Sequence, residues 1–300
     1  MQPKPTLFLP IILLSACGML PEEAIPPASI SSEVEPPAPL NIPELEPAAL
    51  VLECEKHIRS WKRLMALPKT AVNEEMLISL EGAFATLLYK NRASLESLAL
   101  NGEVRFRAVS SASLGFAKDV TVLPVMLNNI MSLEEQVVAN TLFGLGAFAH
   151  PNTPTEALRG LLTSHDLPPQ ILHHGAFAVS RIAEARRSDP HGDLEAILLH
   201  FLNRPEPYIR AQAASGLGQI QAVQSLPRLA NLLTADSNAK VRTAAAYALG
   251  AIRHPSSAPV LISALQDPDK VTAGTARASL AKMHGKDLGG NPQVWQKAFP

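Results

Sequence analysis

The chain has 300 residues, 26 Lys plus Arg against 27 Asp plus Glu, and 47% apolar but only 5% aromatic side chains. The balanced charge excludes the net field that draws a protein onto nucleic acid, and two cysteines, Cys17 and Cys54, are too few for a disulfide scaffold. Alanine and leucine dominate where Val, Tyr and Thr would fill a β-sandwich, which points to helices packed closely through small side chains.

Residues 1–16 read as a secretory signal: Lys4, an apolar run from Leu7 to Leu14 too short to span a bilayer, then small residues directly before Cys17. Leu14-Ser15-Ala16-Cys17 resembles the lipobox of bacterial lipoproteins. That resemblance implies cleavage before Cys17 and acylation of Cys17, palmitate included, and two or three acyl chains would hold the mature chain in a membrane. Gly18 stands where some Gram-negative lipoproteins carry an aspartate that retains them in the inner membrane, so the resemblance leans to the outer membrane, facing the periplasm. After the cysteine, residues 17–48 form a predicted tether. Eight prolines and six glutamates lie between Pro21 and Pro47, and no Lys or Arg occurs from residue 5 to residue 55. Such a stretch has little to bury and repels itself, so it is expected to be disordered and extended, reaching up to ~90 Å at about 3.1 Å per residue.

The body is predicted to run from 49 to 300. Residues 50–67 form an amphipathic helix suited to cap an array, whose terminal units need a polar outer face. Beyond it the sequence repeats. Ile209-Arg-Ala-Gln-Ala-Ala-Ser-Gly-Leu-Gly-Gln-Ile220 matches Val241-Arg-Thr-Ala-Ala-Ala-Tyr-Ala-Leu-Gly-Ala-Ile252, each followed by an apolar segment, Leu226–Leu233 and Ala258–Leu265. Anchored on the ninth position, six units register at Leu114, Leu145, Val179, Leu217, Leu249 and Leu280. A weaker seventh places Met76, Leu80, Ala83, Phe84 and Leu87 in the same columns. Positions 1, 5, 8, 9 and 12 share one face of a helix. Large residues at 1, 9 and 12 are predicted to fill the core, and small ones at 5 and 8 to let neighbouring units approach.

Pairs of helices with L-P-x-L, then an acidic turn at Asp236 or Asp267-Pro268-Asp269, then V-R-x-x-A-x-x-A-L-G resemble the HEAT repeat, in the short bacterial form also found in phycobilin lyases. The resemblance covers roughly 70–300 and is strongest over 205–266. It implies an all-α, right-handed solenoid of about six to seven hairpins, with the second helix of each pair lining the concave side. Gly285–Asn291 with Trp295 resembles a tail that closes such arrays.

Chemistry is sparse. None of the nine histidines precedes a glutamate, so the His-Glu iron ligands of deoxyhypusine hydroxylase are absent. Six histidines fall between 150 and 200, but the adjacent His173 and His174 diverge by about 100° on a helix and cannot chelate one ion as an i,i+4 pair does. Cys54 and His57 have ligand spacing, although a lone core thiol explains Cys54 equally well. No phosphate loop, G-x-S-x-G or H-E-x-x-H occurs, so no catalytic residue, cofactor or metal is expected. Surface remains. Position 7 reads Ala112, Phe143, Phe177, Ser215 and Tyr247, on the side that the resemblance aims at the groove. These rings are either docking anchors for an envelope protein or peptide, or packing between neighbouring units. Arg107, Arg210 and Arg242 share position 2 and are expected to bond between units. The sequence thus predicts a membrane-anchored, non-enzymatic interaction scaffold of the cell envelope, with a lyase-like enzyme or small-ligand or metal binder as the alternative use of the same groove.

Overall fold

A computed structural model describes residues 45–164 and 166–299. The predicted signal, Cys17 and nearly all of the predicted tether lie outside the described residues. Helix α1 (Pro47–Met65) opens inside the stretch read as tether, because Pro47 at the first turn carries no amide that a helix would need. It is followed by α2 (Ala71–Lys90), whose first turn is capped by the Thr70 hydroxyl.

Six helical hairpins then stack. They are α3 (Arg92–Asn101) with α4 (Val104–Leu114), α5 (Leu123–Asn129) with α6 (Glu135–Phe148), and α7 (Glu156–Leu162) with α8 (Pro169–Arg186). The last three are α9 (Asp193–Phe201) with α10 (Pro207–Gln219), α11 (Leu226–Ala235) with α12 (Ala239–Ile252), and α13 (Ala258–Ser263) with α14 (Lys270–His284). A closing helix α15 (Pro292–Ala298) packs on α13. No strand occurs among the described residues, and the fold is an all-α solenoid. Among the described residues no helix is long and apolar enough to cross a membrane.

The repeat register of the sequence is the register of the fold. Leu114, Leu145, Val179, Leu217, Leu249 and Leu280 occupy matching places on α4, α6, α8, α10, α12 and α14, all essentially inaccessible. Thr272 breaks the apolar first column yet is fully buried. Its hydroxyl is satisfied by Asp269 Oδ1 at 3.0 Å and Thr243 Oγ1 at 2.9 Å, so the polar atom costs little.

The seventh unit joins the array only in part, with Phe84 buried and Leu80 and Leu87 packed against the core. Met76 is 51% exposed, and of α2 only Phe84 and Leu88 are buried. Helix α1 pairs with α2 and also packs directly on α4.

Small residues work differently from the sequence reading. Contacts between units run from position 10 to position 8: a methyl group on Gly218 would lie 2.6 Å from the Cα of Ala248, and Gly115 and Gly250 similarly meet Gly144 and Ser279. Position 5 and some position 8 glycines serve instead within a hairpin. Gly175 faces Leu162 and Gly216 faces Leu198, each from the first helix of its own pair. Because the second helices touch through bare backbone while the first helices meet at few points, the array curves with α4, α6, α8, α10, α12 and α14 on the inside.

Polar clamps reinforce the C-terminal units. Arg210 grips Asp236 through Nε and Nη2 at 2.8 and 2.9 Å, and its Nη1 donates to the carbonyls of Arg204 and Pro205. Arg242 repeats the arrangement on Asp267, at 2.8 and 2.9 Å. Each position-2 arginine thereby ties its helix to the turn of the next hairpin. Arg107, in the same column, reaches only Asn129 and Ser132 at 3.4 and 3.3 Å. At the far end Trp295 is fully buried and donates its indole N–H to the Gly289 carbonyl at 2.7 Å.

Candidate functional site: the concave groove

The inner surface of the solenoid carries the position-7 residues, but its two halves differ. In the first three units it is not open. Trp61 of α1 enters it and meets three units at once: its ring centroid lies 5.3 Å from Phe116, 5.7 Å from Phe143 and 6.3 Å from Phe177, each roughly edge-on. Phe143 and Phe177 stack at 5.8 Å. Such edge-to-face and offset pairs contribute ~0.5–1.5 kcal/mol each beyond the area they bury. The periodicity that makes α1 amphipathic puts Leu50, Cys54, Ile58 and Trp61 on one stripe, and that stripe is what the groove receives.

The aromatic row read from the sequence is therefore corrected at its N-terminal end. Phe143 is 4% exposed and Phe177 is half-buried, both covered by α1, so neither is a free anchor. Ser215 is half-buried on α10, and Tyr247, 40% exposed on α12, accepts through its hydroxyl from Gln219 Nε2 at 2.9 Å. Ser215 and Tyr247 belong to the uncovered half. Trp61 and Lys62 are site residues that the sequence reading left out. The signal was there, a lone tryptophan on the apolar stripe of α1, but nothing local says which surface it covers.

Where the covered and open halves meet is a pocket of about 370 Å³, walled by Trp61, Phe143, Phe177 and Tyr208. The Lys62 ammonium sits 4.1 Å from the centre of the Phe143 ring. Burial pulls its pKa below the ordinary lysine range. His173 stacks on Tyr208 at 4.2 Å, while His174 Nδ1 lies 2.8 Å from the Ala139 carbonyl. Burial, then the nearby Lys62 charge, pushes the His174 pKa down to about 4, so its ring is neutral at physiological pH and Nδ1 is the protonated donor. A larger cleft of about 690 Å³ lies outside the groove between α1 and α2, bordered by Arg63, Val72 and Met76.

Among the described residues no three His, Cys, Asp or Glu side chains gather as ligands for one ion. Cys54 and His57 part company: Cys54 is buried in the core, where desolvation raises its pKa to about 11, and His57 stacks on Phe84 at 4.8 Å.

A helical-repeat solenoid with a concave surface defines a class of protein, and comparisons with known proteins identify its repeats. The family described as HEAT repeats matches residues 195–281, that is α10 to α13 with most of α9 and α14. None of the curated proteins matches the chain. Among solved structures the chain is similar to an engineered protein, at 19% identity over 66% of this chain and 96% of that one, with a TM-score of 0.50. It is also similar to the complex of CpcE and CpcF of phycocyanin lyase from Nostoc sp. PCC7120, at 17% identity over 90% of this chain and 98% of that one, with a TM-score of 0.41. Human deoxyhypusine hydroxylase in complex with glycerol matches at 17% identity over 78% of this chain and 98% of that one, with a TM-score of 0.31.

Proposed function

We propose that this chain is a lipid-anchored, non-enzymatic interaction scaffold of the bacterial cell envelope, exported through residues 1–16, acylated at Cys17 and facing the periplasm from the outer membrane. The partner is a protein or peptide held in the groove. HEAT repeats are generally protein-interaction modules, and one observation carries the groove reading for this chain. No described residue covers the inner surface beyond Phe177, which presents Tyr208 and Tyr247 beside the small side chains Ala211, Ser215 and Ala251. Aromatic side chains above small neighbours are what a partner's side chains dock between.

Photo-crosslinking in the native membrane tests the groove reading directly. A crosslinker at Ser215 or Tyr247 is expected to capture one defined protein, while one at Asn231 on the outer helix α11 captures none. Equal capture from both faces, or none from either, removes the groove from the proposal. Anchoring is checked separately by intact mass of membrane-extracted protein, expected to begin at an acylated Cys17. An unmodified Cys17 or a different mature start ends that half of the reading.

A further inference from the structure

We propose that the pocket where α1 meets the groove receives a carboxylate side chain together with an apolar neighbour from an acidic peptide segment of the groove-bound partner. The proposal rests on the groove reading above and names the chemistry of what the groove holds.

Charge gives the first argument. Lys62 makes no ion pair among the described residues, and no Asp or Glu lines the pocket. Its ammonium instead rests on the Phe143 ring, an attraction of about 0.5–1 kcal/mol at an accessible site. Burial disfavours its charged form, and an arriving carboxylate relieves that cost by pairing with it. The neutral His174 adds no competing charge. The rings of Trp61, Phe177 and Tyr208 around the ammonium leave apolar surface for whatever is attached to the carboxylate.

Extent gives the second. Positions 3, 7 and 11 of the six inner helices, which line the concave surface, contain no Asp or Glu at all. They do contain His173, Arg181 and Lys282, with Arg181 paired to Glu184. Positions 3, 7 and 11 thus place no carboxylate against an incoming acid, and the pocket opens onto the uncovered half. A chain segment fills both the pocket and the groove beyond it, whereas a free small acid fills only the pocket.

The full chain in detergent micelles can be titrated with a fluorescein-labelled short peptide alternating Glu and Phe, and with its Gln–Phe counterpart, read by anisotropy and by tryptophan emission. The Glu–Phe peptide is expected to bind and to change the emission of Trp61, one of two tryptophans. Lys62→Met should weaken it by about tenfold or more, the value of one charge-assisted contact, and Lys62→Arg should retain it. Gln–Phe should bind weakly and ignore both substitutions. Lys62 lies outside the buried core, so these variants leave the core intact. The proposal is overturned if Glu–Phe does not bind, if the two peptides bind alike, or if Lys62→Met changes nothing. Crosslinking from Ser215 and Tyr247 that persists alongside such a result leaves the groove reading standing and removes only the acidic partner.

Discussion

The two halves of the solenoid solve the same packing problem with different chemistry. From α9 to α14 the units are near copies, and arginine–aspartate clamps tie each to the next. From α3 to α8 position 2 holds Val138 and Leu172 where α10 and α12 have arginine, and Arg107 makes only long contacts. There the polar links between units sit elsewhere, Asn129 donating to the Ala99 carbonyl and to Ser111, and His174 reaching the Ala139 carbonyl, and one tryptophan from α1 touches three units. A repeat array can therefore change its inter-unit links from one pair of units to the next while the ninth-position core survives.

Removing that segment's anchor is the strongest way to break the comparison. Trp61→Ala deletes a 6%-exposed indole from between Phe116, Phe143 and Phe177, and truncation of a buried aromatic costs about 3–5 kcal/mol. Hydrogen exchange should show α4, α6 and α8 losing protection while α10, α12 and α14 keep theirs. Trp295, then the one remaining tryptophan, reports the unaffected end by fluorescence. Uniform loss along the whole array would mean that the halves are not separately stabilised.

Much of this was legible beforehand. Six units, their core leucines, the turn aspartates and the inter-unit role of Arg210 and Arg242 all follow from a period that each unit states locally. Two things did not follow. Gly218 and Gly250 look like ordinary helix positions until the next helix is in place, because position 10 lies off the apolar stripe and its contact belongs to another unit. Likewise the stripe of α1 says that Trp61 is buried, but the choice between an outer cap and the groove is made by Phe116, Phe143 and Phe177, 55 to 116 residues later in the chain. Sequence periodicity reports which face is buried, and only tertiary structure reports against what.

The C-terminal clamps offer the opposite perturbation, of intermediate size. Arg242→Met leaves Asp267 without its guanidinium and should cost about 1.5–3 kcal/mol, whereas Arg107→Met should cost under about 1 kcal/mol, both by urea denaturation. Acid probes the same pairs. The Arg242 guanidinium holds the Asp267 carboxyl below the usual range. At Asp236, burial pushes upward but Arg210 and the Asn238 amide outweigh it. A carboxyl whose folded pKa is depressed contributes stability that is fully present above its unfolded pKa of about 3.9 and is lost as pH falls through the folded value. Below about pH 4 the C-terminal half should thus lose hydrogen-exchange protection, and Arg242→Met should remove the Asp267 share of that loss while the Arg210–Asp236 share stays. An equal acid response in that variant would show that the Arg242–Asp267 clamp is not among its sources.

One device is common to both halves, and it sharpens the contrast by being indifferent to it. Four of the six inner helices are followed by a residue with positive φ at position 13, Lys118 and Ala149 in the first half and Gln221 and Arg253 in the second, at 54°, 45°, 54° and 56°, whereas α8 and α14 turn later, at Arg187 and Gly285. Backbone there lets the chain turn out of the helix, with the Ala149 and Arg253 amides still donating to Leu145 and Leu249. A side chain with a β-carbon pays roughly 1–2 kcal/mol for the left-handed region, a cost glycine avoids while losing part of the gain to greater freedom when unfolded. Ala149→Gly and Arg253→Gly should each stabilise by about 0.5–1 kcal/mol in urea, without moving the relative protection of the two halves. If only one of them responded, the turn would belong to its own half's packing instead of to the repeat, and the division between tryptophan-bound and arginine-clamped units would extend even to how each helix stops.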